Sequence, residues 1–208
     1  MLLNFDRSFR TPNLDDLTSR QQTGPGFQVE NPALRPEGAT TAELGGRLQL
    51  ERLSLEAWLF QTWLEAAMVK EPIDVGECPA ATPQFGSAWF RYQLRNAAGV
   101  SEVRGLEASG RFRFPLGLGA RATAAYAWGE GPSPVVSSER VPLSRIPPAH
   151  GTVELTWRHS AGVVAATALR WAGPQTRLAV ADLSDPRIPL GWTPGYEVVD
   201  LRNSMRLS

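Results

Sequence analysis

The chain alternates apolar and polar residues with a period of two, and this pattern constrains its fold more than any other feature. Residues 106–113 and 118–128 carry apolar or small side chains at even positions, and residues 151–158 carry apolar ones at odd positions. Each segment has about 8–11 residues, the length that a tilted strand needs to cross a bilayer. Alternate side chains of a strand point to opposite faces of its sheet. The pattern therefore predicts an all-β, antiparallel chain with one apolar and one polar face.

Turn-forming residues divide the chain into about eight strands, which we expect to begin near residues 1, 41, 54, 88, 118, 149, 163 and 195. Short connections fall near residues 51–53, 115–117 and 159–162, and long ones span roughly 11–40, 71–84 or beyond, 129–146 and 173–194. Long and short connections alternate, as they do in outer-membrane barrels with short periplasmic turns and long extracellular loops. We therefore predict an up-and-down transmembrane β-barrel segment, with residues 1–208 forming one partial barrel domain.

Two stretches leave alternatives open. Residues 53–70 could also form an amphipathic helix, because their apolar residues fit a helical spacing as well. Residues 96–99 look like a turn, yet the apolar parity of residues 88–94 resumes unshifted at Leu106. We interpret 96–99 as a kink or bulge in one long strand that extends beyond the membrane, with a small hairpin in the outer loop as the alternative.

Composition excludes several classes of protein. Lysine plus arginine and aspartate plus glutamate both total 21, so there is no basic excess of the kind that nucleic-acid binding requires. The single cysteine, Cys78, cannot form an internal disulfide or a structural metal site. No apolar run reaches the ~18–20 residues of a membrane helix. Residues 1–7 lack the features of an export signal, so we expect the chain to begin in the middle of a longer protein.

No pattern of catalytic chemistry is present. The sequence has no nucleophile elbow, phosphate-binding glycine loop or Ser–His–Asp order. His150 and His159 lie at opposite ends of one predicted strand, about 30 Å apart, which is too far to share a metal. We therefore predict no catalytic residues, no cofactor and no metal site, and we do not expect an enzyme.

Two segments near the start carry a family resemblance. Residues 8–17, SFRTPNLDDL, and residues 31–46, which begin NPALRPE and end ELGG, resemble the C-terminal barrel half of TonB-dependent outer-membrane receptors. Weaker matches follow in the same order at residues 104–108 (RGLEA), 145–148 (RIPP) and 193–202 (TPGYEVVDLR). The matched motif positions are Phe9, Arg10, Pro12, Asn13, Asn31, Pro32, Leu34, Pro36, Glu37, Glu43, Gly45, Gly105, Glu107, Pro194, Gly195, Tyr196 and Asp200.

The resemblance implies a location and a function. It implies part of a receptor in the outer membrane of a Gram-negative bacterium, which takes up a scarce ligand such as an iron–siderophore complex or a cobalamin by an energy-coupled process. The implied partners are outer-membrane lipid, the plug domain of the full-length protein, the TonB complex acting through a missing N-terminal part, and a small-molecule ligand such as a metal chelate. The chain would supply about eight of the roughly 22 strands of such a barrel.

Other functions remain open at this stage. A small independent outer-membrane barrel with an adhesin or structural role is the main alternative, and a soluble β-sandwich binding module is a third. An export signal directly before Met1 would favour the small barrel, whereas an upstream plug-like domain would favour the receptor.

The predicted strands also allow each side chain to be assigned a level in the membrane and a face of the sheet. We expect the aromatic residues Trp128, Trp171 and Tyr196 at the outer lipid interface, and Phe112, Phe114 and Trp157 at the inner one. Parity places charged residues on the face away from lipid, namely Arg47, Arg111, Arg121, Arg158, Arg170, Arg202, Glu43, Glu107 and Glu154. They could guide an anionic substrate, or pair with one another and with the plug. Trp89, Arg91, Arg187 and Trp192 are predicted substrate contacts in the long loops.

Overall fold

The computed structural model describes residues 1–23, 26–73, 90–136, 138–160, 162–183, 188 and 191–205. In chain order the elements are β1 (Leu2–Arg10), α1 (Leu14–Thr18), β2 (Gln21–Thr23), β3 (Gly26–Val29), β4 (Glu37–Gln49), β5 (Leu53–Glu65), β6 (Met68–Pro72), β7 (Phe90–Asn96), β8 (Val100–Arg113), β9 (Leu118–Pro132), β10 (Arg140–Pro142), β11 (His150–Arg158), β12 (Val163–Ala172), α2 (Val180–Leu183) and β13 (Tyr196–Met205). In this described part no helix is long and apolar enough to span a membrane.

Eight strands form one antiparallel sheet that follows the order of the chain. Its path is β1-β4-β5-β8-β9-β11-β12-β13, and the short β10 pairs with β9. Short connections join β4 to β5, β8 to β9 and β11 to β12 at one end of the strands. Longer outer loops, residues 11–36, 66–99, 133–149 and 173–195, join them at the other end. The predicted all-β architecture, the strand number and the alternation of loops are confirmed, and the helical alternative for residues 53–70 is wrong.

The sheet is an open wall in the described part of the chain. β1 and β13 stand at the two ends of the path and do not pair with each other. A small eight-stranded barrel would close through that pairing, because an unpaired edge in lipid leaves backbone groups without hydrogen bonds. The open wall is the form expected for a section of a wider barrel.

A second sheet lies in the outer loops, with strand order β2-β3-β7-β6. β6 and β7 pair antiparallel, beyond the membrane-crossing hairpin of β5 and β8. β3, from the loop of residues 11–36, pairs parallel to β7. The sheet therefore ties the first outer loop to the second.

The expectation of one long strand with a kink at residues 96–99 is corrected by this second sheet. β7 ends at Asn96 and β8 begins at Val100, and the two strands belong to different sheets. Gly99 has φ 153° and Ala66, in the neighbouring strand connection, has φ 53°. Both strands therefore break at the same level, where backbone conformations unusual for L-residues occur. The alternative of a hairpin at this point is also wrong, because β7 and β8 do not pair.

Register separates the main sheet into two chemically distinct faces. One face carries a row of consecutive cross-strand partners, Leu3, Leu44, Leu59, Leu106 and Tyr126. Their exposed fractions run from 43% to 78%. Exposed apolar surface of this extent marks a surface that meets another apolar phase, here lipid. We call Leu3, Leu44, Leu59, Leu106 and Tyr126 the lipid-facing row.

The opposite face is charged and would line the lumen. Register places on it every charged residue that parity predicted there. One expectation about faces is wrong: Tyr196 pairs with Ala172, which pairs with His150, and all three lie on this luminal face. Trp128 and Trp171 share the lipid-facing parity as expected. In β13, odd-numbered and even-numbered positions both carry apolar residues. Only the charged side chains of Asp200 and Arg202 therefore indicate which face of this strand is luminal.

Candidate functional site: outer loop contacts and the luminal face

The first two motifs meet at the outer ends of β1 and β4. The guanidinium of Arg10 donates to Asp16 Oδ2 at 2.7 Å and to Glu37 Oε1 at 3.0 Å. Glu37 Oε2 accepts the backbone N–H of Met68 at 2.9 Å, which joins the cluster to β6. A guanidinium between two carboxylates has the geometry of strong, charge-assisted hydrogen bonding. Motif positions far apart in sequence therefore form one structural joint.

Asn13 begins the short helix α1, which was not expected from the sequence. Its side chain accepts the N–H of Asp16 at 2.7 Å, and Asp16 Oδ2 accepts the N–H of Asn13 at 3.0 Å. This reciprocal pair is a capping box. The spacing of Asn13 and Asp16 was visible in the sequence and could have indicated the helix. Pro12 lies between β1 and the N-cap residue Asn13. It cannot continue the strand pairing of β1, because proline has no N–H to donate.

The second motif fixes the first outer loop to β7. Asn31 Nδ2 donates to the carbonyl of Leu94 at 2.8 Å, and Asn31 Oδ1 accepts the N–H of Ala33 at 3.1 Å. Leu34 is among the few buried apolar residues, with 8% exposure. In this part of the loop, the motif therefore contributes one asparagine amide that binds β7 and one buried leucine.

Asn96 provides a second link that sequence reasoning missed. Its Oδ1 accepts the N–H of Arg35 at 2.8 Å, and its Nδ2 donates to the carbonyls of Arg35 and Ala66 at 2.9 and 2.8 Å. One side chain thus bonds three backbone groups of two loops. The sequence alone shows only a turn-forming asparagine at this position.

Tyr92 lies at the centre of the second sheet with 1% exposure. Its hydroxyl donates to Gln28 Oε1 at 3.1 Å and lies 2.8 Å from the Thr23 hydroxyl. Burial raises the pKa of Tyr92, with the Thr23 hydrogen bond acting in the opposite direction. The phenol therefore stays protonated at physiological pH and keeps its donor bond to Gln28.

A cavity of about 610 Å³ opens beside this sheet, between the outer loops. Its lining includes Tyr92, Lys70, Arg10 and the exposed Arg145. Arg145 has φ 65°, a left-handed conformation that is uncommon for residues other than glycine. In the described part of the chain, no acidic side chain lies within 4.0 Å of its guanidinium. Among the described residues, the cavity thus contains an arginine without an acidic neighbour.

On the luminal face, some arginines are neutralised and others are not. Arg47 pairs with Glu56 at 2.7 Å, Arg170 with Asp200 at 2.8 Å, and Arg202 with Glu154. Arg111 and Arg121 are direct cross-strand partners, and Arg158 lies on the same face. None of these three has an acidic side chain of the described residues within 4.0 Å. These three residues, which we call the arginine patch (Arg111, Arg121 and Arg158), are spread along the luminal face, and Arg121 has Glu154 as its cross-strand partner in β11.

Motif glycines leave room for neighbouring groups in the wall. A Cβ at Gly45 would overlap the indole of Trp58, its cross-strand partner, and one at Gly105 would overlap the ring of Phe60 and the carbonyl of Tyr126. A Cβ at Gly195 would likewise lie only 2.6 Å from the carbonyl oxygen of Ala172. Glu43 accepts from Asn4 at 3.0 Å, and Glu107 lies on the same face. These motif positions therefore shape the barrel wall.

Only two of the four predicted substrate contacts lie in the described part of the chain. Arg91 lies in β7 with only 9% exposure, and Trp192 is 41% exposed in the fourth outer loop. Trp89 and Arg187 fall outside the described residues, as does Cys78. A role for any of the four in ligand binding stays a prediction.

The open wall, its two faces and its motif joints agree with a family comparison. The model of the TonB dependent receptor-like, beta-barrel family matches residues 2–207. The chain belongs to this family of TonB-dependent receptors. It is a section of their β-barrel, a domain of the outer membrane of Gram-negative bacteria. Among curated protein sequences, none matches the chain.

Solved structures share the fold of this barrel section. The copper transporter OprC has a TM-score of 0.73 and 18% identity, with 99% of this chain and 29% of OprC covered. A ferric enterobactin receptor (PfeA) mutant from Pseudomonas aeruginosa has a TM-score of 0.66, 17% identity and coverage of 99% and 30%. The Serratia marcescens hemophore receptor HasR has a TM-score of 0.65, 18% identity and coverage of 99% and 32%. The chain thus spans about 30% of the length of these receptors.

Proposed function

We propose that this chain is part of a receptor that takes up a scarce, metal-carrying ligand across the outer membrane with energy delivered through TonB. The observation that carries the proposal is the barrel wall of a TonB-dependent receptor with a charged luminal face. The solved relatives include a copper transporter, a ferric enterobactin receptor and a hemophore receptor, which supports a metal complex such as an iron–siderophore or a cobalamin as ligand. The role is binding and transport rather than catalysis.

An anionic ligand fits the outer cavity best. Arg145 has no acidic partner among the described residues, and the phenol of Tyr92 stays neutral in the same cavity. A metal complex with net negative charge would gain a charge-assisted contact there without displacing an existing ion pair. Arg10 already serves Asp16 and Glu37, so Arg145 is the cation best placed to meet the ligand.

Uptake by the full-length receptor tests this function. In a strain that lacks the native gene, the receptor should restore growth on one anionic iron chelate only when TonB is present. The variant Arg145→Gln should lower the apparent ligand affinity about tenfold, the worth of one charge-assisted hydrogen bond. Arg140→Gln is the matched control, because Arg140 is an outer arginine already paired with Glu130 at 2.7 Å. Growth restored without TonB would contradict the proposed function. Equal ligand affinity of the two variants would show that Arg145 does not contact the ligand.

The arginine patch supports a plug domain as the internal partner. Arg111 and Arg121 are cross-strand partners without an acidic side chain of the described residues within 4.0 Å, so their like charges would repel one another. An acidic surface of a plug inside the barrel would neutralise them. The alternative, a path for an anionic substrate, would need the patch to stay free of the plug.

Charge reversal at the patch separates the plug from the substrate path. In the full-length receptor, Arg111→Glu combined with Arg121→Glu should loosen the plug and admit large antibiotics that the intact receptor excludes. The control variant Arg35→Glu reverses the charge of an exposed arginine in the first outer loop, and it should not admit these antibiotics. Antibiotic sensitivity of cells and cross-linking of plug to barrel are the measurements. An unchanged permeability with reduced uptake would instead favour the substrate path.

The alternative of a small independent barrel receives no support. In the described residues β1 and β13 remain at opposite ends of the strand path. The family match covers the wall of a larger receptor instead.

A further inference from the structure

A second, smaller cavity adjoins the outer cavity. It has a volume of about 260 Å³ and lies where the second, third and fourth outer loops meet, and we call it the side cavity. Lys70, Ser144 and Arg145 line both cavities, so these three residues stand at their junction. Sites for whole small molecules usually measure about 300–1,000 Å³. The outer cavity, at about 610 Å³, therefore has room for the body of a metal chelate, and the side cavity has room for one of its arms.

Two cations of the junction lie close to the same phenol. The Lys70 Nζ atom lies 5.1 Å from the ring centroid of Tyr92. Burial raises the pKa of Tyr92, and the positive charge of Arg145, like the Thr23 hydrogen bond, acts against that rise. A cation lowers the pKa of a phenol only when it is near enough to stabilise the phenolate. The positive charges of Lys70 and Arg145 therefore converge on one point of the outer cavity.

The backbone of Arg145 is held in an unusual conformation. Its φ of 65° lies in the left-handed region, which costs energy for a residue with a side chain. Bonds on both sides of Arg145 tie it to the fourth outer loop: Ser144 Oγ donates to Asp182 Oδ1 at 2.9 Å, and Gln175 Nε2 donates to the carbonyl of Ile146 at 2.5 Å. Strained residues that are fixed in this way are concentrated at ligand sites.

The described walls of both cavities are aliphatic rather than aromatic. Leucine, valine, proline and alanine side chains form most of the apolar lining of the outer cavity, and Tyr92 is the only aromatic residue among the described lining residues. The Tyr92 ring is 1% exposed, so its face is closed to a ligand. The described lining of the side cavity includes no aromatic residue. Because aromatic ligand groups gain from stacked and edge-to-face ring contacts, these walls favour an aliphatic ligand.

The charges around the junction favour a carboxylate over a phosphate group. The planar guanidinium of Arg145 matches the two oxygens of a carboxylate. Asp182 also lines the side cavity and brings a negative charge to it. A phosphate monoester carries a charge of about −1.5 to −2 at pH 7. Asp182 would therefore repel a phosphate group more strongly than a carboxylate, which carries a single charge.

We propose that Arg145 and Lys70 bind the carboxylate arms of an aliphatic metal chelate, of the class to which ferric citrate belongs. One arm enters the side cavity, and the metal-bearing body fills the outer cavity. This assignment rests on the proposed function and narrows its ligand from an anionic metal complex to an aliphatic carboxylate chelate.

Titration calorimetry of the full-length receptor with three iron chelates tests the ligand class. Ferric citrate is the aliphatic carboxylate probe, a ferric tris-catecholate is the aromatic probe, and ferric pyrophosphate is the phosphate probe. The unchanged receptor should bind ferric citrate at least about tenfold more tightly than either of the other two, since only citrate offers the matched planar contact without aromatic rings. Equal or tighter binding of the catecholate or of pyrophosphate would overturn the proposal, as would an absence of ferric citrate binding. TonB-dependent growth on one of those other chelates would then leave the proposed function in place and reject only the carboxylate class.

Two variants test the residues of the junction. Arg145→Lys keeps the positive charge but loses the planar pair of donors, so it should weaken ferric citrate binding about fivefold. Arg140→Lys is the matched control, because Arg140 is an outer arginine that is bound to Glu130 at 2.7 Å. Asp182→Asn removes the repelling charge and should strengthen the binding of ferric pyrophosphate more than that of ferric citrate.

Heat-modifiable migration of all variants verifies that each barrel is folded. Equal affinity of the Arg145→Lys and Arg140→Lys receptors for ferric citrate would show that the guanidinium does not hold a carboxylate. In the Asp182→Asn receptor, an equal or greater gain for citrate than for pyrophosphate would show that Asp182 does not select against phosphate. Either result would overturn the assignment.

Discussion

Gly105→Ala is expected to disrupt the barrel wall between β5, β8 and β9. A Cβ at position 105 would overlap the backbone carbonyl of Tyr126 and the ring of Phe60. The ring could turn, but the carbonyl belongs to the strand ladder and cannot move without loss of pairing. Overpacking typically lowers the free energy of unfolding by about 1–3 kcal/mol. Because the Tyr126 carbonyl cannot move aside, we expect this variant at the upper end of that range. We therefore expect a marked loss of folded receptor in the outer membrane.

Folded and unfolded receptor are separated by heat-modifiable migration, and urea titration gives the free energy of unfolding. Gly119→Ala is the matched control, since Gly119 is also a strand glycine, yet a Cβ there would meet only the Phe112 carbonyl at 3.8 Å. The control should fold as the unchanged receptor does. A Gly105→Ala receptor of normal stability would show that the strands around position 105 can separate enough to admit a methyl group.

Asn96→Ala is expected to release the first outer loop without unfolding the wall. The change removes the partners of three backbone groups, the N–H and carbonyl of Arg35 and the carbonyl of Ala66. An unsatisfied group that becomes buried costs about 1–3 kcal/mol, and partial exposure here favours the lower half of that range. Because Asn96 lies beyond β8, the loss falls on the contacts between loops.

Limited proteolysis at Arg20 and Arg35, both in the first outer loop, measures this release. Cleavage should become several-fold faster in Asn96→Ala, while heat-modifiable migration stays unchanged. Asn4→Ala is the control, because Asn4 makes a single side-chain bond to Glu43 at 3.0 Å on the wall itself. Equal cleavage rates in both variants would mean that the second sheet alone holds the loop.

The wall was predictable from the sequence because each membrane strand repeats one local rule. Apolar parity, strand length and the alternation of loop lengths all follow from crossing a bilayer. The second sheet was missed because it depends on pairing between distant segments, as with Gly26 and Phe90 in β3 and β7. Such pairing leaves no periodic signal. The wrong face for Tyr196 has a local cause, since Val198 and Val199 make both parities of β13 apolar.

The residues of the candidate site also fall into two groups, those that the sequence predicted and those that only the structure shows. Arg10, Asn13 and Glu37 were singled out by motif, and the structure shows that they form one joint. Asn96 and Arg145 could not be ranked from sequence, because their importance arises from a second loop and from an open cavity. An arginine near an outer loop is common, whereas an arginine without an acidic neighbour is visible only in three dimensions.

The parallel pairing of β3 with β7 also constrains the order of assembly. Residues 26–29 are made early but cannot reach their final neighbours until residues 90–93 are in place. Parallel contacts across such a sequence separation carry a large loop-closure cost and form late. We therefore expect the antiparallel pair of β5 and β8 to form before β3 docks on β7. The outer mouth of the receptor would then be completed from the membrane outward, after the wall that supports it.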